Sequence, residues 1–223
     1  MLSVKQAFSC IGRPANSSVV AGLFGYGVIP KPLSLRTQLE LLGGPHYHVN
    51  VIEVAPEDFP SWARRQICYS LQFTRDVYAK VGIGIGRIDW FSVSRAQAGT
   101  KAVIDSGSEA SDLTADWTVP NDGLDLFVVR LINGSDGWSP KSGHCNKNAP
   151  WHMTGSVVEI YQGRDNYAGN GFAHEMGHYL GLDHISDDGN FIGGDGSSNS
   201  WSGILDWQGN EMKRHCFMKN GCG

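Results

Sequence analysis

The run Phe172-Ala173-His174-Glu175-Met176-Gly177-His178-Tyr179-Leu180-Gly181-Leu182-Asp183-His184 constrains this chain more than any other stretch. On a helix, His174 and His178 stand one turn apart on one face, so both imidazoles can reach the same metal ion. Glu175 sits beside the first of them and can take a proton from a water activated by that metal. Gly181 can adopt positive φ without a Cβ clash, which lets the helix stop and the chain turn. The turn brings in His184 as a third nitrogen ligand. A helix burying three unpaired histidines on one side is hard to explain without a metal. Three protein ligands leave a fourth position open, as in a catalytic zinc site and unlike a structural one.

The chain has 223 residues, enough for one domain with an extension, and hydrophobic residues make up 41% of it. The formal net charge of −4 and the lack of any basic run argue against nucleic acid as a partner. No stretch reaches transmembrane length, and Met1 to Arg13 has no charged-then-apolar leader pattern. Twenty-nine glycines imply long irregular loops. Cys10, Cys68, Cys145, Cys216 and Cys222 are odd in number, so at least one is free or pairs between chains. Cys216 and Cys222 are close enough in sequence to bridge. Cys68, inside a predicted helix, reads as a plain buried thiol. The pattern fits an oxidising destination, outside the producing cell.

Periodicity then orders the chain. Residues 1–45 form an N-terminal extension with one helical stretch: a pro-segment, a docking segment for a carrier or inhibitor, or a packed arm. The catalytic domain runs over residues 46–223. Residues 47–55 alternate as a strand. His46 and His48 flank its start, as strand-end residues rather than ligands. A helix follows over residues 60–81, with Arg64, Arg65, Arg75 and Lys80 on its solvated side. Gly82, Gly84 and Gly86 turn into a strand over 88–93. Residues 95–121 read as polar loop, and Leu124 to Ile132 as a central strand buried on both faces. A long loop over 134–154, carrying Trp138, His144, Cys145, Trp151 and His152, fits the rim of a cleft. Ser156 to Gln162 is a short strand. The metal helix begins near 166–171 and ends at Gly181. A flexible loop is expected over 186–203. Calcium is a minor alternative role for the acids Asp105, Glu109, Asp112 and Asp116, or for Asp187, Asp188, Asn190 and Asp195.

The full pattern H-E-x-x-H-x-x-G-x-x-H resembles the metzincin signature. The wording around Leu180-Gly181-Leu182 is similar to the matrixin branch, and Cys216-Phe217-Met218 to the Cys-x-Met form of the adamalysin branch. The resemblance implies an α/β (α+β) catalytic domain: a twisted mixed sheet with an antiparallel edge strand, an active-site helix and a loop-rich C-terminal subdomain. It implies one catalytic Zn²⁺ held by His174, His178 and His184, with Glu175 as general base. It makes Ser156, Val157, Val158, Glu159, Ile160 and Tyr161 the edge strand that pairs with extended substrate. It asks for a methionine turn beneath the metal, at Met218 or alternatively Met212. Cys10-Ile11-Gly12-Arg13-Pro14 loosely resembles the cysteine switch of matrixin pro-segments. Where astacin-like enzymes carry a tyrosine two residues past that methionine, this chain has Asn220.

The function expected is a secreted or delivered zinc endopeptidase, monomeric, acting on proteins or peptides. Two rivals accompany it. One is a toxin or effector protease whose first 45 residues dock a carrier. The other is a non-catalytic zinc-stabilised binding module, which would need no base at Glu175.

Overall fold

The computed structural model describes residues 3–4, 43–148, 152–193 and 202–221. β1 (Ser3–Val4) pairs antiparallel with β3 (Gly84–Val93), which lies parallel to β2 (Pro45–Val54). Parallel neighbours need a crossover, and α1 (Ala63–Ala79) supplies it. β4 (Gly123–Val129) lies parallel on the other side of β2, and every residue of it is buried. Its near-continuous apolar run is the signature of a strand covered on both faces. β6 (Gly155–Glu159) extends the sheet parallel to β4, and β5 (Gly137–Trp138) closes it antiparallel to β6. The order is β1-β3-β2-β4-β6-β5, with β7 (Lys219–Asn220) paired to the start of β2. This is the mixed α/β sheet with an antiparallel edge that the sequence calls for. The identity of the edge differs. Ser156–Tyr161 is not the edge strand, because β6 is flanked by β4 on one side and β5 on the other.

Strand alternation splits the core in two. Val49, Val51, Leu124, Leu126 and Val158 face α1 and the metal helix α4 (Asp165–Tyr179). Ile52, Val54, Phe127, Val129 and Val157 face the other way, with Ala98, Ala110 and Leu113. Those last residues belong to α2 (Arg95–Ala98) and α3 (Gly107–Trp117), so much of 95–121 is helical where the sequence reads as loop. The local signal is present in the sequence: Ser106 caps α3 by accepting from the Glu109 N–H at 3.3 Å. Ser94 and Gln97 form a full capping box on α2.

α1 and α4 pack closely. A Cβ on Gly169 would lie 2.7 Å from Phe73 Cγ, so only glycine permits the approach. The Tyr78 hydroxyl donates to the Ala173 carbonyl at 2.6 Å, and Tyr47 donates to Met176 Sδ at 3.7 Å. Both bonds fix α4 one residue either side of the first motif residues. Arg75 departs from expectation: it is buried, not on the solvated side of α1. Arg64 is half-exposed and pairs with Glu53 at 2.6 Å.

The lower half contains α5 (Asp206–Met212) and irregular segments. Within the expected flexible loop, residues 186–193 are instead folded. Phe191 and Ile192 are fully buried, and Asn190 exchanges side-chain bonds with Gln208 at 2.9 and 3.1 Å. Residues 194–201, with Asp195, lie outside the described residues, as do Cys10 and Trp151. Among the described residues no helix is long and apolar enough to cross a membrane.

Candidate metal centre

α4 ends as the glycine requires. Gly181 takes φ +114°, its N–H donates to the His178 carbonyl at 2.9 Å, and the Leu182 N–H donates to Gly177 at 3.0 Å. These are the two bonds of a Schellman motif. The turn throws His184 back against the helix. Nε2 of His174 lies 2.9 Å from Nε2 of His184 and 3.0 Å from Nε2 of His178, and the third side of the triangle is 3.1 Å.

The other ring nitrogens decide what that triangle is. His174 Nδ1 lies 3.1 Å from the Phe191 carbonyl, and His178 Nδ1 lies 2.8 Å from the Leu182 carbonyl. A carbonyl accepts only, so both Nδ1 atoms carry the proton and both Nε2 atoms present lone pairs. Lone pairs converging at about 3 Å repel unless a cation lies among them. The set therefore fits a divalent metal with nitrogen preference, and the carbonyl bonds orient the ligands as outer-sphere partners do. Burial lowers the pKa of His174 to about 4, helped by His178. Burial also lowers that of His178. Both are thus neutral, the form that ligates.

Glu175 is buried, and its carboxyl backs against Gly137 of β5; a Cβ there would lie 2.6 Å from Oε1. Burial, with the charge of Asp136 adding to it, pushes Glu175 up to about 8. A carboxyl held with that affinity for a proton, next to the ligand helix, can accept one and give it back.

Asp136, Tyr161 and Tyr167 stand at the same end of the site, and no spacing in the sequence marks them. The Tyr161 hydroxyl donates to Asp136 Oδ1 at 2.6 Å, and Tyr167 donates to Oδ2.

The remaining expected residues fall as follows. Met212 is fully buried at the end of α5. Met218 is half-buried against the core and closes a turn by donating its N–H to the His215 carbonyl at 2.9 Å. His46 is bonded through Nδ1 to Gly44, and His48 Nδ1 accepts from the Arg87 N–H, so neither faces the triangle as a ligand. Asp105 accepts from Asn133, Asp116 pairs with Lys101, and Glu109 accepts from the Asp105 N–H. Among the described residues, these acids do not gather as calcium ligands would. Cys216 bridges to Cys145, not to Cys222, across a Cα separation of 6.2 Å. Cys68 is disulfide-bonded rather than a plain thiol.

No family model matches the chain. Among solved structures, it is similar to metalloproteinase-II from Bacteroides fragilis, at 11% identity and TM-score 0.50, over 77% of this chain and 53% of that one. An archaemetzincin from Methanopyrus kandleri aligns at 13% identity and TM-score 0.44, over 79% and 89%. A chain from a chaperone–substrate complex aligns at 15% identity and TM-score 0.49, over 68% and 28%. The chain thus spans about half the length of the Bacteroides protein, with which it shares a metalloproteinase-like fold.

Proposed function

We propose that this chain is a zinc-dependent endopeptidase. The observation that carries the reading is the triangle of imidazole nitrogens at 2.9–3.1 Å with a buried carboxyl on the adjoining residue. A bound zinc ion would act as Lewis acid and bring the pKa of water from about 15.7 towards about 7. His174, His178 and His184 would hold the ion. Glu175 receives the proton of the attacking water and delivers it to the leaving amine. Its burial raises its proton affinity.

β5 supplies the platform. It ends the sheet, and because the Glu159 N–H donates to the Asp136 carbonyl, alternation turns the N–H and C=O of Gly137 outward, where they can pair with an extended peptide, the carbonyl already accepting one bond from the Ser135 hydroxyl at 2.8 Å. Glu175 packs directly against Gly137, which brings that peptide beside the base. The methionine-turn role goes to Met218, whose backbone closes a turn just after Cys216, over Met212, which is spent in the core. β1 lies at the opposite end of the sheet from β5, which favours the packed-arm reading for Ser3–Val4.

The test is a peptide library with a chelator control, run on the parent and on Glu175→Gln. The variant should keep stoichiometric zinc by elemental analysis and cleave nothing. Cleavage at the parent's rate would refute the base assignment, and a parent without zinc would refute the site.

A further inference from the structure

We infer that Asp136 selects a cationic group, a lysine or arginine side chain, close to the bond that is cut. The inference rests on the peptidase reading and deepens it.

Asp136 immediately precedes β5, and its side chain is exposed. The next residue, Gly137, backs onto Glu175. Tyr167, which holds Oδ2, lies in the first turn of α4, seven residues before His174. Seven residues are two turns, so Tyr167 and His174 share a helix face at about 10 Å. Asp136 is therefore placed between the edge that would carry substrate and the face that carries the ligands. One or two residues of extended peptide cover that distance at about 3.3 Å each, with the side chain reaching the rest.

The two hydroxyls hold one carboxylate oxygen each and aim the group without neutralising it. A carboxylate has further lone pairs, which remain for a donor from outside. The Tyr161 and Tyr167 rings meet edge-on at 5.2 Å beside the carboxylate. Asp136 takes part in none of the ion pairs formed among the described residues. Arg164 lies over the Tyr167 ring, 5.6 Å from its centroid. Glu159, the nearest acid on β6, is buried and bonded to the Ile132 N–H at 2.6 Å. A fixed, unpaired carboxylate at the end of a cleft is a recognition group for a cation, where a charge-assisted bond discriminates by about ten-fold or more.

Labelled peptides that differ only in lysine, norleucine or glutamate, scanned either side of the scissile bond, separate the alternatives. Binding is measured by fluorescence anisotropy to zinc-supplemented Glu175→Gln, and cleavage is measured with the parent. At one position, lysine should bind about ten-fold tighter than norleucine. Glu175→Gln/Asp136→Asn should bring that ratio near one, and Asp136→Arg in the same background should turn it towards glutamate. A lysine preference that survives both substitutions overturns the inference, as does no preference at any position. Lysine-selective binding without any cleavage by the parent would keep the cation site and overturn the peptidase reading.

Discussion

Nε2 of His174 and Nε2 of His184 lie 2.9 Å apart, although a helix end and a reversal of the chain separate their residues. Gly181 makes that meeting possible. Its φ of +114° is open to glycine and strained for any other residue. Space is not the constraint, since the nearest atom to an added Cβ would be Ser142 Oγ at 3.5 Å. Gly181→Ala should therefore cost about 1–3 kcal/mol of backbone strain. It should also swing His184 away from its partners. The expected result is a lower melting temperature together with roughly ten-fold weaker zinc binding in a competitive chelator titration. Unchanged zinc affinity would mean the glycine only ends the helix.

Glu175 gives a pH dependence with a definite sign. Its folded pKa is raised from the usual 4.5 to about 8. Its contribution is fully present below about 4.5 and is lost as pH rises through about 8. In EDTA, Glu175→Gln should thus gain on the parent between pH 5 and 8, by up to about 1.4 kcal/mol per pH unit. His174 acts oppositely: with its pKa lowered to about 4, its contribution holds above about 6.5 and fades as pH falls towards 4. Metal-free parent should be most stable near pH 6, and added zinc should broaden the maximum. Urea melts of both proteins at pH 5, 6.5 and 8 give the comparison; a constant gap between them would sink the argument.

Much of this was legible in the residues because the signals are local. The triangle follows from helical spacing and one glycine, and the buried central strand from the apolar run at Leu124 to Val129. What was missed depends on distant pairing. Nothing in Gly137-Trp138 announces a strand; two residues carry no period, and only β6 beside them makes them an edge. Phe191 is read as part of a polar loop until its carbonyl is seen holding His174. Asp136 looks like any loop acid until two tyrosines, one on each side of α4's start, converge on it. The helix α3 was within reach, since Ser106 and Glu109 stand at capping spacing, but its polar composition hid the apolar face of Ala110 and Leu113.

Asp125 and Lys147 form a fully buried ion pair at 2.7 Å, and Asn50, Thr118 and the Val119 N–H also donate to the carboxylate. Removing one partner strands the other charge. Asp125→Ala should cost about 3–5 kcal/mol. The double variant Asp125→Leu/Lys147→Met should recover part of that, because it buries no charge but leaves the Asn50, Thr118 and Val119 donors without their acceptor. Chemical denaturation of the singles and the double closes the cycle. Additive losses would show that the pair is not coupled.

The Cys145–Cys216 bridge ties a strap across the end of the metal helix. Ser142 and Gly143 donate their N–H groups to the His178 and Tyr179 carbonyls at 3.0 and 2.7 Å; the first adds to the Gly181 bond already on His178, and the second satisfies an acceptor that the helix end leaves open. His215 donates from Nε2 to the Gly143 carbonyl at 2.9 Å, and Lys141 pairs with Asp183. The bridge spans 71 residues, so opening it should cost about 4 kcal/mol on chain entropy. For a chain of this size that is a fall of roughly 10 °C in melting temperature. The strap also touches the carbonyl of a ligand residue, so the cost should reach the metal. Cys145→Ser/Cys216→Ser should release zinc to a chelator several-fold faster than the parent at a temperature where both are folded. A lower melting temperature with an unchanged release rate would confine the strap to the fold and disconnect it from the site.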